Sequence, residues 1–410
     1  MTDSTTTAGT GSPAATSFPI PRKCPHQLPD GYADMRSTGL PLLPVTLFDG
    51  GRAWVVTQHP LARRLLSDPR LSSARTHPGF PAISPAERAA RPFRSLTEMD
   101  GPDHDVHRRM LIPAFTVRRI QEMRPQIQET VDGRLDAMIA KGSPADLVAQ
   151  FAVHVPSMVI CSLLDVPYKD HEFFQALTQR VTQDRGILTA DEFKQSIGQI
   201  YGYLDQLVTE QEREPGPGLL GLLAAERVAH GTLEHGELVA MGLVLLVAAQ
   251  ETTSSTLSSA TLTLLENPEQ LARLQADPEM WTGALEELLR FTSVADLGTR
   301  RVAAEDIEMD GVVIRAGEGV IIPNSLVNRD PAVFVDPDTL DVGRTARNHL
   351  AFGHGVHNCI GQNLSRLVLE VALRTLFERL PGLRLAVPVE ELEMSAAGGV
   401  QTLTSLPVRW

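Results

Sequence analysis

Cysteine, aromatic residues and long apolar runs are all scarce in this chain of 410 residues. Its three cysteines, Cys24, Cys161 and Cys359, lie far apart and form no CxxC pair, which excludes a disulfide framework and fits a reducing cytoplasm. The first 30 residues lack the basic start and apolar stretch of a signal peptide. The most apolar run, 238–249, is shorter than the roughly 20 residues that cross a bilayer. We therefore predict a soluble, cytoplasmic protein without a membrane partner.

Positive charge is also in deficit. Fifty acidic residues against 37 basic ones give a net charge of -13, which argues against nucleic acid or an anionic membrane as the main partner. No repeat of 20 to 50 residues divides the chain, and the only low-complexity stretch is the N-terminal MTDSTTTAGTGSPAATS. We predict a disordered tail over residues 1–19 and one domain over 20–410.

Helical patterns dominate the rest of the chain, with a minor β part. Two segments have strand character: 47–57 reads as a hairpin with a Gly-Gly turn, and 306–323 as strands broken at glycines. The fold class is therefore mainly α with minor β. Helices are predicted over 59–68, 156–166, 236–265, 280–292 and 364–380.

The predicted helix 236–265 changes character in the middle. Its first half is apolar on all sides, which indicates burial on all sides. The next residues, QETTSS at 250–255, then bring polar groups into a helix that is already buried. Either the helix emerges into water there, or it borders an internal polar cavity. Serine and threonine hydroxyls inside helices also often bond to the carbonyl four residues earlier.

The segment FGHGVHNCIG, residues 352–361, concentrates metal-binding residue types. A lone cysteine is usually a small buried hydrophobe, but Cys359 precedes a predicted helix, whose N-terminus favours the thiolate. A zinc site would use His354, His357 and Cys359 as ligands. The segment's glycines leave little bulk, which suits a backbone pressed against a flat cofactor, such as a haem whose iron has a thiolate ligand. These glycines are Gly353, Gly355 and Gly361.

The same ten residues resemble the haem-binding signature of cytochromes P450. Further matches follow in the family's order over nearly the whole chain after the tail. They are MDGPDHDVHRR (99–109), AAQETT (248–253), the ExxR pair Glu287 and Arg290 with Arg344, TRRVAAED (299–306), and NRD (328–330). The likeness is greatest to soluble actinobacterial P450s, which include sulfonylurea-metabolising and vitamin D-hydroxylating enzymes. It implies a cytochrome P450 fold, a single large triangular domain with haem between the central long helix and the cysteine-loop helix.

The resemblance implies haem b as cofactor, with Cys359 as the axial thiolate ligand of the iron and Phe352 covering the sulfur. It assigns four cationic or partly cationic side chains to the two haem propionates, which suits charge-assisted bonds to buried carboxylates. These four are His104, Arg108, Arg301 and His357. Ala248, Gly353 and Gly361 are the remaining implied haem contacts, and Glu287, Arg290 and Arg344 form an implied structural ion network.

The implied activity is that of a monooxygenase, which uses dioxygen and two electrons. Thr252 would donate a hydrogen bond to the oxygen and Glu251 would supply protons, because a hydroxyl both donates and accepts. No flavin or nicotinamide motif is present, so the electrons would come from a ferredoxin and its NAD(P)H-dependent reductase. The predicted docking patch for the ferredoxin consists of Arg108, Arg109, Arg118 and Arg366.

The expected substrate is a sizeable, mostly apolar small molecule, such as a polyketide or a terpenoid or sterol-like secondary metabolite. Variable loops at 77–95 and 170–192 would contribute to its pocket. The candidate pocket residues are Leu243, Leu246, Val247, Val294, Ala295, Thr402 and Leu403.

Ala249 departs from the family's usual glycine, and Gln250 stands where close relatives often have histidine. Oxidative ring closure or coupling is therefore an alternative to hydroxylation. Peroxide-driven oxidation without a redox partner is a separate alternative within the same fold, and Glu251-Thr252 argues against it. A haem sensor or carrier without catalysis is the alternative from another class. A sensor would need an output module, for which 410 residues leave no room.

Overall fold

The computed structural model describes residues 16–20, 27–89, 95–182, 189–309, 311–395 and 399–410. In these residues the fold is mainly helical, as predicted. The helices are α1 (Asp30–Ser37), α2 (His59–Leu66), α3 (Pro85–Ala89), α4 (Gly101–Leu111), α5 (Val117–Glu122), α6 (Arg124–Lys141), α7 (His154–Leu164), α8 (His171–Thr182), α9 (Ala190–Arg213), α10 (Leu219–Leu223), α11 (His235–Leu265), α12 (Pro268–Ala276), α13 (Trp281–Thr292), α14 (Asn324–Val327) and α15 (Gln362–Arg379).

The β part is small and lies mostly at one side of the fold in a mixed sheet of order β1-β2-β3-β9-β6-β4. A three-stranded sheet, β10-β13-β5, and the pairs β7-β8 and β11-β12 complete it. The strands are β1 (Thr16–Ser17), β2 (Leu42–Thr46), β3 (Arg52–Val56), β4 (Leu71–Ser72), β5 (Ala145–Asp146), β6 (Arg300–Ala303), β7 (Ile307–Met309), β8 (Val312–Ile314), β9 (Gly319–Ile321), β10 (Arg384–Leu385), β11 (Met394–Ser395), β12 (Thr402–Leu403) and β13 (Pro407–Arg409).

The predicted broken strands form, and a hairpin forms around the predicted Gly-Gly turn, but its first strand lies before the predicted segment 47–57, at Leu42–Thr46. Strands β2 and β3 are antiparallel, with Thr46 opposite Arg52, and the turn at Gly50 has a φ of 79° that glycine adopts readily. The segment 306–323 folds as β7, β8 and β9, and β9 joins the main sheet beside β6. This sheet therefore holds Arg301 in register opposite Val320.

The predicted tail boundary at residue 19 is too far along the chain. Strand β1 pairs in parallel with β2, and Phe18 is almost fully buried in the apolar core beside the main sheet. Burial of the apolar Phe18 side chain is favourable, which explains why this residue belongs to the folded domain. Residues 1–15 of the predicted tail lie outside the described residues.

Helix α11 is the central element. It packs against α7, α9, α13 and α15, and most of its apolar side chains join the largest apolar core. At 31 residues it exceeds the apolar run of the sequence, and by length and composition it is able to cross a membrane. However, 56% of its apolar window is buried inside the protein, as in a core helix.

Candidate active site

A cavity of about 570 Å³ lies between α11 and the segment that precedes α15. Its wall on one side is the middle of α11, and on the other side it is the cysteine loop, residues 351–361. Cys359 is open to this cavity, although it lies deep in the protein. Helix α11 therefore borders an internal cavity at its polar stretch, and does not emerge into water there.

Main-chain bonds hold the cysteine loop in a tight turn. The amide of Cys359 donates to the carbonyl of Phe352 at 2.9 Å, and the Asn358 side chain donates to the carbonyls of Phe352 and Gly353 at 3.3 Å. Gly353 and Gly355 have φ values of 69° and 72°, which side-chain-bearing residues rarely adopt. A methyl group at Gly355 would lie 2.2 Å from the carbonyl oxygen of Leu66, so this glycine serves contact with α2 and not a flat cofactor.

The electrostatics of Cys359 differ from the sequence-based expectation. Helix α15 begins only at Gln362, and burial raises the pKa of the Cys359 thiol. The amide of Gly361 and the guanidinium groups of Arg108 and Arg366 oppose this rise. The helix N-terminus alone is therefore not enough to hold a thiolate here. A metal cation bound at this thiol would supply the missing positive charge, because a coordinating thiol loses its proton.

An ionic cluster around Glu286 contacts the cysteine loop through Phe352. Arg366 donates to the Glu286 carboxylate, with Nε to Oε1 at 2.6 Å, and its guanidinium lies 4.5 Å from the centre of the Phe352 ring. His349 Nε2 lies 3.1 Å from the other Glu286 oxygen, and these bonds hold the pKa of Glu286 at about 2 against the effect of burial. The sequence-based interpretation missed Glu286, although it directly precedes the ExxR glutamate.

The four side chains predicted to bind carboxylates all reach the cavity. We call His104, Arg108, Arg301 and His357 the cavity cations. The rings of His104 and His357 have their centres 4.3 Å apart. In the described residues, the only side-chain hydrogen bonds of Arg108 and Arg301 go to the carbonyls of Asn358 and Arg300, at 2.6 and 2.7 Å. Burial lowers the pKa of Arg301 to about 10, and it also lowers those of Arg108 and His104.

The side chain of neighbouring Arg300 is already paired with a carboxylate of the protein. Its guanidinium forms a two-bond pair with the Glu87 carboxylate, with Nη2 to Oε1 at 2.6 Å. Successive side chains of a strand point to opposite faces of the sheet, so the pairing of Arg300 with Glu87 leaves Arg301 as the arginine of β6 that can bind a cofactor carboxylate.

His357 is oriented by a residue that the sequence-based interpretation did not single out. Its Nε2 lies 3.3 Å from Asp100 Oδ1, and the same carboxylate accepts bonds from the Ser73 amide and hydroxyl. These bonds, with one from Ser72, hold the pKa of Asp100 well below its usual range despite burial. A useful signal was present: an aspartate directly before Gly101-Pro102 marks a helix start.

The cavity fits a haem. The Cys359 thiol faces the cavity from one wall. At the edge of the cavity the Nε2 atom of His104 is buried with no hydrogen-bond partner in the described residues. Two carboxylates from a bound group would satisfy this atom and compensate the buried cations. A zinc site is not supported, since no three histidine, cysteine or acidic side chains converge within the described ranges.

On α11, Ala248, Ala249, Glu251 and Thr252 all line the cavity. The Thr252 hydroxyl donates to the Ala248 carbonyl at 2.8 Å, and Thr256 bonds in the same way to Thr252. Thr252 therefore has a local bond partner and also faces the cavity. Gln250 differs, because its side chain is buried and is not part of the cavity wall.

The substrate wall is only partly as predicted. Leu243, Val247, Val294 and Ala295 line the cavity, whereas Leu246, Thr402 and Leu403 do not. Leu246 lies on another face of α11, because consecutive residues of a helix point in different directions, and it is fully buried in the core. The Thr402 hydroxyl instead bonds to the Ser255 hydroxyl at 2.8 Å, and Leu403 packs in the core. Of the predicted variable loops, residues 90–94 and 183–188 lie outside the described residues.

The predicted ion network forms away from the cavity. Both nitrogens Nε and Nη2 of Arg290 bond to the Glu287 carboxylate at 2.7 Å, and Arg344 Nε bonds to it at 3.0 Å. Arg290 and Glu287 are fully buried, so the pair is not a surface pair. Arg290 also donates to the carbonyl of Asn328, whose side chain in turn accepts from the Leu350 amide at 2.7 Å. The network thus anchors the chain just before the cysteine loop.

The predicted docking patch is smaller than expected. Arg109 and Arg118 are exposed, but Arg108 points inward to the Asn358 carbonyl and Arg366 to Glu286. The latter two arginines are thus largely engaged within the protein.

Comparison with known proteins agrees with this arrangement. A family model described as Cytochrome P450 matches residues 45–383. The chain is 52% identical over 411 residues to vitamin D3 dihydroxylase of Streptomyces griseolus, covering 100% of both proteins. It is 50% identical over 406 residues to pentalenic acid synthase of Streptomyces avermitilis, covering 99% of this chain and 100% of that protein. The crystal structure of cytochrome P450 MoxA from Nonomuraea recticatena matches with a TM-score of 0.90 at 42% identity, covering 97% of this chain and 99% of that one.

Proposed function

The chain belongs to the cytochrome P450 family, and from this premise we propose that it hydroxylates a sizeable, mostly apolar secondary metabolite, such as a polyketide or a terpenoid or sterol-like compound. Family membership and the similarity to named enzymes make the protein a P450 monooxygenase that binds haem iron. One observation carries the proposal: Cys359 faces a cavity that the cavity cations border and that α11 closes on the opposite side.

The haem, when bound, supplies the oxidising chemistry through its iron and dioxygen. In our proposal Cys359 is the thiolate ligand of haem b, and Phe352 and Arg366 shield the sulfur from water. The cavity cations bind the two propionates, and Asp100 keeps the His357 ring in position. Each of these roles rests on the contacts described above.

Thr252 and Glu251 handle protons in this proposal. The Thr252 hydroxyl both donates and accepts, so it can pass a proton into the cavity while it stays close to the Ala248 carbonyl. Glu251 precedes it on the same helix and also borders the cavity, where a carboxyl group can receive protons from solvent. The surrounding wall excludes bulk water, which favours productive use of the delivered protons.

The substrate lies against the apolar part of the wall. Leu243 and Val247 on α11 and Val294 and Ala295 after α13 provide aliphatic contacts with few polar groups. The relatives named as vitamin D3 dihydroxylase and pentalenic acid synthase support an apolar substrate of this kind.

Electrons come from a ferredoxin and an NAD(P)H-dependent ferredoxin reductase in this proposal, as in class I bacterial P450s. Docking on the cysteine side uses the exposed Arg109 and Arg118, because charge complementarity to an acidic ferredoxin accelerates association. We place the reaction in the cytoplasm, in line with the scarcity of cysteine and the burial of α11.

The test is the spectrum of the reduced protein with carbon monoxide, for the wild type and Cys359→Ser. We expect a strongly red-shifted Soret band in the wild type that the variant loses. Cys161→Ser is the matched control, since Cys161 is buried and does not line the cavity, and it should keep the band. A wild-type band at the position of nitrogen-ligated haem would overturn the proposal.

The proton role of Thr252 is tested separately with Thr252→Ala. We expect haem and substrate binding to persist while reducing equivalents are diverted to hydrogen peroxide. Thr261→Ala is the control, because Thr261 makes the same kind of bond, to Leu257 at 2.8 Å, on a buried part of α11. Unchanged coupling of electron consumption to product in Thr252→Ala would contradict the assignment.

A further inference from the structure

Two carboxyl groups line the cavity, Glu251 and Glu98. Glu251 belongs to the proposed proton path, whereas Glu98 has no role in the oxidation as described. Glu98 stands in the turn that leads into α4, where its amide donates to the Ser95 carbonyl at 2.9 Å. Its side chain is only 14% exposed, so a largely buried carboxyl group borders the cavity.

Glu98 is only partly compensated by the protein. In the described residues its one ionic contact is with Arg75, whose Nε lies 3.4 Å from Oε1. Arg75 also lies 3.5 Å from the Glu87 carboxylate, which already has Arg300 as its partner. Burial raises the pKa of Glu98, and Arg75 reverses this only in part. An ionised carboxylate accepts up to about four hydrogen bonds, so Glu98 retains capacity for a ligand.

The neighbouring hydroxyls are less available. Ser95 Oγ and Thr97 Oγ1 also line the cavity, but they lie 3.0 Å apart and bond to each other. Phe80 lies beneath Arg75 and Arg300, with its ring centre 6.0 and 5.7 Å from the two guanidinium carbons. Phe80 thus packs against Arg75, the arginine that contacts Glu98.

We propose that Glu98 determines substrate specificity by accepting a hydrogen bond or ion pair from a hydroxyl or ammonium group of an otherwise apolar substrate. This inference rests on the proposed function, because it concerns the same cavity. A single polar contact in an apolar pocket fixes which end of a molecule lies where, and an analogue without the donor leaves the carboxylate desolvated and unmatched. The substrate is therefore amphiphilic, with one donor group at the end that lies against Glu98.

The test uses calorimetric titration of the holoprotein with three ten-carbon probes: 1-decanol, decyltrimethylammonium and decanoate. The proteins are the wild type, Glu98→Gln, Glu98→Leu and the control Glu129→Gln, which removes one charge from an exposed position on α6. The quaternary ammonium has no lone pair and so cannot bind iron. We expect the wild type and the control to bind decanol or decyltrimethylammonium more tightly than decanoate.

The variants distinguish the two donor sources. If the natural donor is cationic, both Glu98 variants bind decyltrimethylammonium roughly tenfold more weakly. If it is a hydroxyl, Glu98→Leu binds decanol roughly tenfold more weakly, whereas Glu98→Gln, which still has an accepting oxygen, retains most of the affinity. Equal affinities in Glu98→Leu and the control for both probes, or tightest wild-type binding of decanoate, would overturn the inference. Because calorimetry reports binding and the carbon monoxide spectrum reports the thiolate, the two proposals fail separately.

Discussion

The Glu287 network, formed by Glu287, Arg290 and Arg344, and the cavity cations are both buried, but the chain gives them different partners. In the network one carboxylate accepts three short bonds, and the remaining donors reach main-chain carbonyls. At the cavity two guanidinium groups bond only to carbonyls within the described residues, and one imidazole nitrogen has no partner. The first group is complete within the protein, while the second is incomplete without a ligand.

This difference indicates that the charges of the Glu287 network stabilise the fold, whereas the cavity cations are available to bind a cofactor. Burying an uncompensated cation has an energetic cost, which a folded chain bears only if something else offsets it. The lowered pKa values of Arg301 and Arg108 express that cost. We therefore expect substitutions in the two groups to act on different properties, stability for the network and cofactor retention for the cavity cations.

The largest effect is expected from Glu287→Gln. The variant keeps the shape of the side chain but leaves the buried Arg290 and the partly buried Arg344 without a carboxylate, which costs about 3–5 kcal/mol of unfolding free energy. Urea unfolding measures it. The control is Glu378→Gln, which breaks the exposed i,i+4 pair with Arg374 and should cost under about 0.5 kcal/mol. Equal midpoints for the two variants would refute a stabilising role for the network.

A smaller effect with a defined pH dependence is expected from Glu286→Gln. His349 and Arg366 hold the pKa of Glu286 at about 2, below its ordinary 4.5, against the effect of burial. A depressed carboxyl pKa stabilises the fold above the ordinary value, and this contribution is lost as the pH falls from about 4.5 toward 2. We expect a difference from wild type of about 1.5–3 kcal/mol at pH 7.

Urea unfolding at pH 7, 5 and 4 provides the measurement for Glu286→Gln. The difference from wild type should stay constant between pH 7 and 5 and narrow below about 4.5. The exposed Glu279→Gln is the control and should show no such trend. A difference that widened on acidification would have the wrong sign for this account.

The smallest effect, and one on a different property, is expected from Arg301→Leu. Removing a poorly compensated buried cation should leave the unfolding free energy nearly unchanged, but haem should leave the protein about tenfold faster or more, since an ion pair to a propionate is lost. Transfer of haem to excess apomyoglobin measures the rate. Arg109→Leu, on the exposed side of α4, is the control. Haem loss at the wild-type rate in Arg301→Leu would place the propionates elsewhere.

The sequence predicts those parts of the site whose side chains are tied to a short, fixed spacing. The ExxR pair lies on one helix face, so Glu287 and Arg290 meet as soon as α13 forms. The cysteine loop is likewise local, because its turn bonds join residues at most seven positions apart. Resemblance then supplied the distant members, such as His104 and Arg301, which the structure brings to the same cavity.

The predictions that are wrong concern residues whose surroundings depend on tertiary packing. The apolar neighbourhood of Leu246 predicts a place in the pocket wall, but its position around the helix axis directs the side chain into the core. The sequence predicts Arg366 as a surface cation, but its side chain pairs with Glu286, eighty positions earlier in the chain. No local sequence pattern indicates this pairing. No sequence pattern indicates a role for Glu98 either, because an isolated glutamate belongs to no motif. Only the structure places this residue at the cavity.

The most direct test of the central claim compares haem with haem dimethyl ester, in which both propionates are uncharged. Haem-depleted protein is titrated with each, for the wild type and Arg301→Leu. We predict that the wild type binds the ester at least about tenfold more weakly than haem, and that this gap narrows in Arg301→Leu. Equal wild-type affinities for the two compounds would show that the cavity cations are not held for the cofactor's carboxylates, and would contradict the account.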